Sequence, residues 1–101
     1  MEDQALISPE VLACYAADAA REVEGVLRVV GGHLHRQAGV KVEIGEGGVF
    51  LHVPVALGYG TVIAPVAREV QKRVRQYLKV MADVEPAAVE VIVVVIEPVT
   101  P

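Results

Sequence analysis

The chain has 101 residues, of which 53% are hydrophobic, and a formal net charge of −4. This length predicts a single domain over residues 1–101, with residues 1–7 and 98–101 expected to fray. The acidic balance argues against a dedicated nucleic-acid-binding protein, and one Phe with three Tyr offers few stacking surfaces for bases. No run approaches about 18 apolar residues, so we expect no membrane span. The single cysteine, Cys14, excludes an intrachain disulfide and fits the reducing cytoplasm.

The first two predicted elements are a helix and a short strand. Ser8 is suited to accept a free backbone N–H, and Pro9 fits the first helical position. The helix is predicted to run over residues 9–24, where Gly25 stops it. The β-branched run over residues 26–30 then predicts a strand that two glycines end.

A β-hairpin is predicted next. Residues 40–44 alternate between apolar and polar side chains, residues 45–48 form a glycine-rich turn, and residues 49–57 return as a second strand. Pro54 has no N–H to donate to a strand ladder. It therefore predicts an edge, a bulge, or a backbone position that points away from a partner strand.

The second helix is two-sided and is predicted to begin near Pro65. Its apolar side consists of Val66, Val70, Val74, Tyr77, Leu78 and Met81. A cationic side, called the basic stripe below, lies roughly 150° away and consists of Arg68, Lys72, Arg75 and Lys79. An ordinary solvated helix face explains such a stripe, and so does a site for an acidic protein, a phospholipid surface or RNA.

The last predicted strand, residues 89–96, has Val89, Val91, Val93 and Val95 on one face. The order α-β-β-β-α-β predicts an α+β two-layer sandwich, with both helices packed on one face of a small mixed sheet. The other face of the sheet, turned away from both helices, is called the back face. It is predicted to include Phe50, His52, Ile92, Val94 and Ile96.

So much apolar surface on the back face is unusual for a small domain. It predicts self-association or docking of a protein partner there. The alternative is that a loop of the chain itself, or residues 98–101, covers this face.

No catalytic, cofactor-binding or metal-binding residues are predicted. His33 and His35 form a pair, but no third ligand follows at a diagnostic spacing, so we interpret the segment as a solvated loop. Cys14 has acidic neighbours at four-residue spacing, which disfavour a reactive thiolate and indicate a packing role. The sequence does not predict an enzyme.

Several ordered segments together resemble the bacterial alkaline shock protein family. They are Ile7-Ser8-Pro9-Glu10-Val11, residues 19–26, Tyr59-Gly60, the helix entry Pro65-Val66-Ala67 and the strand over residues 89–95. The resemblance covers roughly residues 6–97. It implies a small cytoplasmic α+β domain with no established catalysis, similar to scaffold or accessory proteins. Some members are held at the inner face of the envelope through a membrane-anchored partner, and others are associated with cell-wall stress or fatty-acid metabolism.

Two functions are compatible with these observations. The first is a non-enzymatic, stress-related scaffold or adaptor, linked to cell envelope homeostasis, that acts as a homo-oligomer and through protein contacts. The second is a small regulatory module that binds RNA or an acidic ligand through the basic stripe. The family carries no agreed catalytic residues, so none are assigned here.

Overall fold

The computed structural model describes residues 7–31 and 39–99. Its elements are α1 (Pro9–Arg21), β1 (Val26–Val29), β2 (Lys41–Gly45), β3 (Gly48–Gly58), α2 (Ile63–Ala82) and β4 (Ala88–Glu97). This order confirms the predicted α-β-β-β-α-β arrangement.

Strand β3 is the centre of the sheet, because every other strand pairs with it. β2 pairs antiparallel with residues 48–52 of β3, and β1 pairs antiparallel with residues 55–57. β4 runs parallel along residues 50–58. A strand has only two edges, and β4 occupies one edge of β3. β1 and β2 must therefore lie end to end along the other edge. The sheet is therefore mixed, as predicted.

Pro54 lies where this shared edge passes from β2 to β1. His52 is the last β3 residue opposite β2, where it faces Lys41, and Val55 faces Val29 of β1. The Val30 N–H donates to the Pro54 carbonyl at 2.9 Å, so the proline still contributes its acceptor. The N–H that it lacks would point into the gap between the two strands, which is why a central strand tolerates it.

Helix α1 begins as predicted but ends three residues earlier. The Ser8 Oγ accepts the Val11 N–H at 3.2 Å, with Pro9 in the first turn. The helix ends at Arg21, and Gly25 follows with φ of 101°. A Cβ at Gly25 would lie 3.1 Å from side-chain atoms of both Thr61 and Val66. The glycine thus combines a left-handed turn with close packing against the start of α2.

Helix α2 begins at Ile63, two residues before Pro65. The first N–H groups of a helix have no intrahelical acceptor, so proline is tolerated within the first turn as well as at its first position. At the other end Asp83 adopts a left-handed conformation with φ of 54°. Met81, predicted on the buried side, lies in the last turn and is 46% exposed.

The core lies between the helices and one face of the sheet, and it is aliphatic. Its fully buried large side chains are Leu12 of α1, Leu51, Val53, Val55 and Leu57 of β3, and Val70, Val74 and Leu78 of α2. The alanines of α1 are also buried, which lets α1 and α2 approach closely. Both helices thus cover the same face of the sheet.

A β-bulge in β4 changes which residues lie on the back face. Val55 is opposite Val93, but the next residue, Ala56, is opposite Val95, so β4 has one extra residue at Val94. Beyond it Ile96 lies opposite Leu57, on the side of the helices. The predicted placement of Ile96 on the back face is therefore wrong, and Val95 takes that place. Residues 91–96 are all apolar, so alternation could not reveal the shift.

We predict that Leu78→Ala lowers the free energy of unfolding by about 2–5 kcal/mol, because it leaves a cavity in a fully buried site. Val80 lies on the same helix, two residues away, and is 80% exposed. Val80→Ala is the matched control and should change stability by less than about 0.5 kcal/mol. Urea denaturation of the three proteins measures both effects, and equal losses would contradict the packing of α2.

Candidate protein interface on the back face of the sheet

The centre of the back face is apolar and open. Pro54 of β3 lies opposite Ile92 of β4, and the bulge adds Val94 and Val95 beside them. The three β4 side chains are 42%, 52% and 36% exposed, respectively, although they belong to the middle of a ten-residue strand. Side chains of this kind usually become buried when a partner binds.

A shallow depression of about 420 Å³ runs across this centre. It is lined by Gly39, Lys41, Glu43, His52, Pro54, Ile92 and Val94. Its apolar floor and polar border have the composition of a protein-binding surface. An enclosed, mostly apolar cavity, which small-molecule sites usually require, is not what these residues form.

His52 is held between two carboxylates from the neighbouring strands. Its Nδ1 lies 2.7 Å from Glu90 Oε1 on β4, and its Nε2 lies 3.3 Å from Glu43 Oε1 on β2. The hydrogen bond with Glu90, followed by that with Glu43, raises the pKa of the His52 imidazole above its ordinary value. A protonated imidazole donates from both nitrogens, so this arrangement suits the charged form.

A second charged pair borders the other end of the face. Arg28 is opposite Ala56, and its Nη2 donates to Glu97 Oε2 at 2.7 Å. The apolar centre therefore lies between two groups of charged side chains that span the strands. An apolar centre with a charged border is typical of protein interfaces.

The back face does not assemble metal ligands. Both nitrogens of His52 already contact carboxylates, and residues 7–31 and 39–99 contain no group of three or more His, Cys, Asp or Glu placed to hold an ion. The predicted loop with His33 and His35 lies outside the described residues.

The basic stripe is exposed on α2, but half of it is engaged in local contacts. Arg75 Nη1 donates to the Pro86 carbonyl at 2.8 Å. Lys79 Nζ contacts Asp83 Oδ1 and Glu85 Oε2, both at 3.0 Å, and these bonds raise the pKa of Lys79, that with Glu85 most. These two cations hold the connection between α2 and β4. Within the described residues, Lys79 is the stripe member that forms ion pairs, and Arg68 and Lys72 have neither an ion pair nor a side-chain hydrogen bond.

Sequence reasoning placed His52, Ile92 and Val94 on the back face, but it put Ile96 there in place of Val95 and missed the charged neighbours of His52. Glu43 and Glu90 both occupy outward positions of alternating strands, which is a signal in the sequence. What places them beside His52 is the register of β2 and β4 on β3. That register depends on residues far apart in the chain.

Solved structures share this fold at low sequence identity. The MamM CTD in its copper form has a TM-score of 0.56 and 14% identity, covering 85% of this chain and 95% of that one. Another MamM CTD variant has a TM-score of 0.58 and 12% identity, covering 87% and 98%. The likeness shows a common α+β sandwich. In the described parts of the chain, no helix combines the length and apolar character needed to cross a bilayer.

The fold and the back face thus define a small α+β domain with an open, apolar surface of interface character. The chain belongs to the alkaline shock protein family with a cell envelope-related function, whose model matches residues 1–98. This confirms the resemblance drawn from the sequence. The uncharacterized protein YqhY of Bacillus subtilis (strain 168) is 34% identical over 82 residues, or 71% of this chain. The match spans 61% of that relative's length.

We predict that His52→Gln destabilises the protein at acidic pH and has a smaller effect at alkaline pH. Because the pKa of His52 is raised in the folded state, its ion pairs contribute fully below the unfolded-state value of about 6.5. Their contribution is lost as the pH rises through the folded-state pKa, where the imidazole becomes neutral in both states.

Urea unfolding of both proteins between about pH 5.5 and pH 8.5 measures this difference across the window. Subtracting the free energy of unfolding of the variant from that of the wild type at each pH cancels the contribution of the other histidines. A difference that stays constant or grows with pH would contradict the paired, protonated His52.

Proposed function

We propose that this protein is a non-enzymatic scaffold or adaptor that acts through self-association and protein contacts at the back face. Membership of the family supports a role related to the cell envelope. The observation that carries the proposal is the exposure of Ile92, Val94 and Val95 at the centre of an otherwise well-packed sheet. Burial of apolar surface stabilises an assembly by about 25 cal/mol per Å².

The charges on the back face favour a specific partner over indiscriminate association. Glu43, His52 and Glu90 border one side of the apolar centre, and Arg28 with Glu97 borders the other. Charged borders of this kind contribute to orientation and to the exclusion of wrong partners more than to affinity. A scaffold that must join defined components needs this selectivity.

The family resemblance supports a proposed site of action. On this proposal the domain lies on the cytoplasmic side of the envelope and responds to envelope stress, with recruitment to the membrane supplied by a membrane-anchored protein. The back face provides a surface for self-association, and the remaining surface is then available to that partner.

Binding of RNA or an acidic ligand through the basic stripe has less support. The Arg75 guanidinium donates to the Pro86 carbonyl, which holds its side chain in place, and the carboxylates of Asp83 and Glu85 offset the charge of Lys79. Of the four cations, Arg68 and Lys72 are exposed and make neither an ion pair nor a side-chain hydrogen bond with the described residues. We therefore favour the back face.

We predict that the wild-type protein self-associates at micromolar concentration and that the double variant Ile92→Lys/Val94→Lys is shifted toward the monomer. Two lysines at the apolar centre would have to lose hydration in the assembly, which is costly without a counter-ion. Light scattering coupled to size-exclusion chromatography measures the mass.

Val80→Lys is the matched control, since Val80 is an exposed apolar residue on the helical side. It should leave the mass distribution unchanged. A monomeric wild type at these concentrations would refute self-association. Equal effects of both variants would show that self-association does not use the back face.

A further inference from the structure

We propose that a second copy of this chain pairs antiparallel with the free edge of β4, about a twofold axis that passes through Ile92. This inference rests on the proposed self-association and locates it at the edge of the strand that carries the back-face residues Ile92 and Val94, rather than across stacked back faces. It follows from which backbone groups of β4 lack a partner, and from the register in which two copies of the same strand fit together.

The outer edge of β4 is long and weakly protected. In residues 7–31 and 39–99, the strand pairs with β3 alone. Its ten residues contain no Pro and no Lys, and Glu90 is the one charge before the terminal Glu97. Natural proteins usually shield such an edge with those residues or with a covering segment, because it offers unpaired N–H and C=O groups to another chain.

The hydrogen bonds of β3 show which β4 groups point outward. The Val30 N–H donates to the Pro54 carbonyl, and the Gly58 N–H donates to the Gly25 carbonyl. Even-numbered residues of β3 therefore bond toward β1 and β2, and the odd-numbered residues bond toward β4. Val53 and Val55 are among these.

In a parallel pair, the N–H and C=O groups of a residue bond to the two residues on either side of its cross-strand partner. The N–H and C=O groups of that partner residue point to the other edge of its strand. Val91 is opposite Val53, and Val93 is opposite Val55. Val91 and Val93 therefore direct their N–H and C=O groups to the free edge. Their side chains lie on the face covered by the helices.

A contact with α2 supports this alternation and limits the free segment. The Gln71 Nε2 donates to the Val89 carbonyl at 3.0 Å, so this carbonyl also points away from β3 and is already satisfied. The bulge at Val94 disturbs the strand on the other side. Between these two limits, Val91 and Val93 are the residues with regular, outward-pointing groups.

An axis through Ile92 uses both of these residues. It places Val91 opposite Val93 of the partner subunit, so that each pair exchanges two main-chain hydrogen bonds. The side chains of Val91 and Val93 then lie beside each other on the face covered by the helices, and Ile92 contacts Ile92 of the partner subunit on the back face. Such a contact is isologous, as twofold dimers require.

Neighbouring registers are less favourable. An axis through Val91 needs the Val89 carbonyl, which Gln71 already occupies. An axis between Val93 and Val94 sets Glu90 opposite Glu97 of the partner subunit, and like charges directly opposite each other are destabilising. The Ile92 axis places Glu90 opposite Val94 instead. The dimer would then carry one sheet of doubled width, with all helices on one side and the two apolar centres joined.

Oxidative crosslinking tests the axis. In a Cys14→Ser background, Ile92→Cys should form a disulfide-linked dimer, because non-hydrogen-bonded antiparallel partners have Cα atoms about 4.5 Å apart. Phe50→Cys is the matched control on the same face. Phe50 is opposite Ala88, so edge pairing separates the two Phe50 positions by three strand spacings sideways and by eight residues along the strands, roughly 30 Å in all, which is too far for a disulfide.

A backbone variant tests the hydrogen bonds. Val91→Pro removes an N–H that points away from β3, so the fold should persist by circular dichroism while the dimer dissociation constant rises at least about tenfold. Val91→Thr keeps the N–H and should leave that constant within about threefold.

The outcomes separate the two proposals. Crosslinking at Ile92 but not at Phe50, with a weaker dimer for the proline variant alone, supports edge pairing. Crosslinking at Phe50, or a dimer unaffected by Val91→Pro, overturns edge pairing and leaves self-association through stacked back faces. A wild type that is monomeric throughout overturns both.

Discussion

The domain depends on the burial of one face of β3 beneath two helices. Leu51, Val53, Val55 and Leu57 are at most 1% exposed, and each packs into a core that α1 and α2 close. Both edges of the same strand are also occupied, by β4 on one side and by β1 with β2 on the other. Burial of this strand thus aligns every other element, and it directs the polar and apolar residues of even number toward the back face.

For function, the two sides of the sheet differ in which residues they leave exposed. On the helical side, two of the four cations of the basic stripe, Arg75 and Lys79, contact the segment that leads to β4. The back face keeps exposed apolar residues and a histidine bridged by carboxylates from two strands. A surface of that composition is typical of a domain that recognises other proteins, and the envelope-related family is consistent with such a role.

The titration of His52 and the edge of β4 are physically connected. Glu90 bonds His52 and also precedes Val91, the first of the two residues with outward-pointing backbone groups. In the proposed dimer, Glu90 lies opposite Val94 of the partner subunit, and a protonated His52 compensates its charge. Glu90 and Glu43 raise the pKa of His52, so its protonation changes the charge of this region close to the proposed contact.

Much of the architecture was determined by local sequence patterns. Ser8-Pro9 predicted the start of α1, the alternation around a glycine-rich turn predicted the hairpin of β2 and β3, and the three- and four-residue spacing of Val70, Val74 and Leu78 predicted the buried side of α2. These patterns are readable because they depend on neighbours within a few residues.

Only the tertiary structure decided the bulge at Val94, the exchange of Ile96 for Val95, the bridge from Glu43 through His52 to Glu90, and the free edge of β4. Each of these depends on the register between strands far apart in the chain, which a uniformly apolar run such as residues 91–96 does not encode locally.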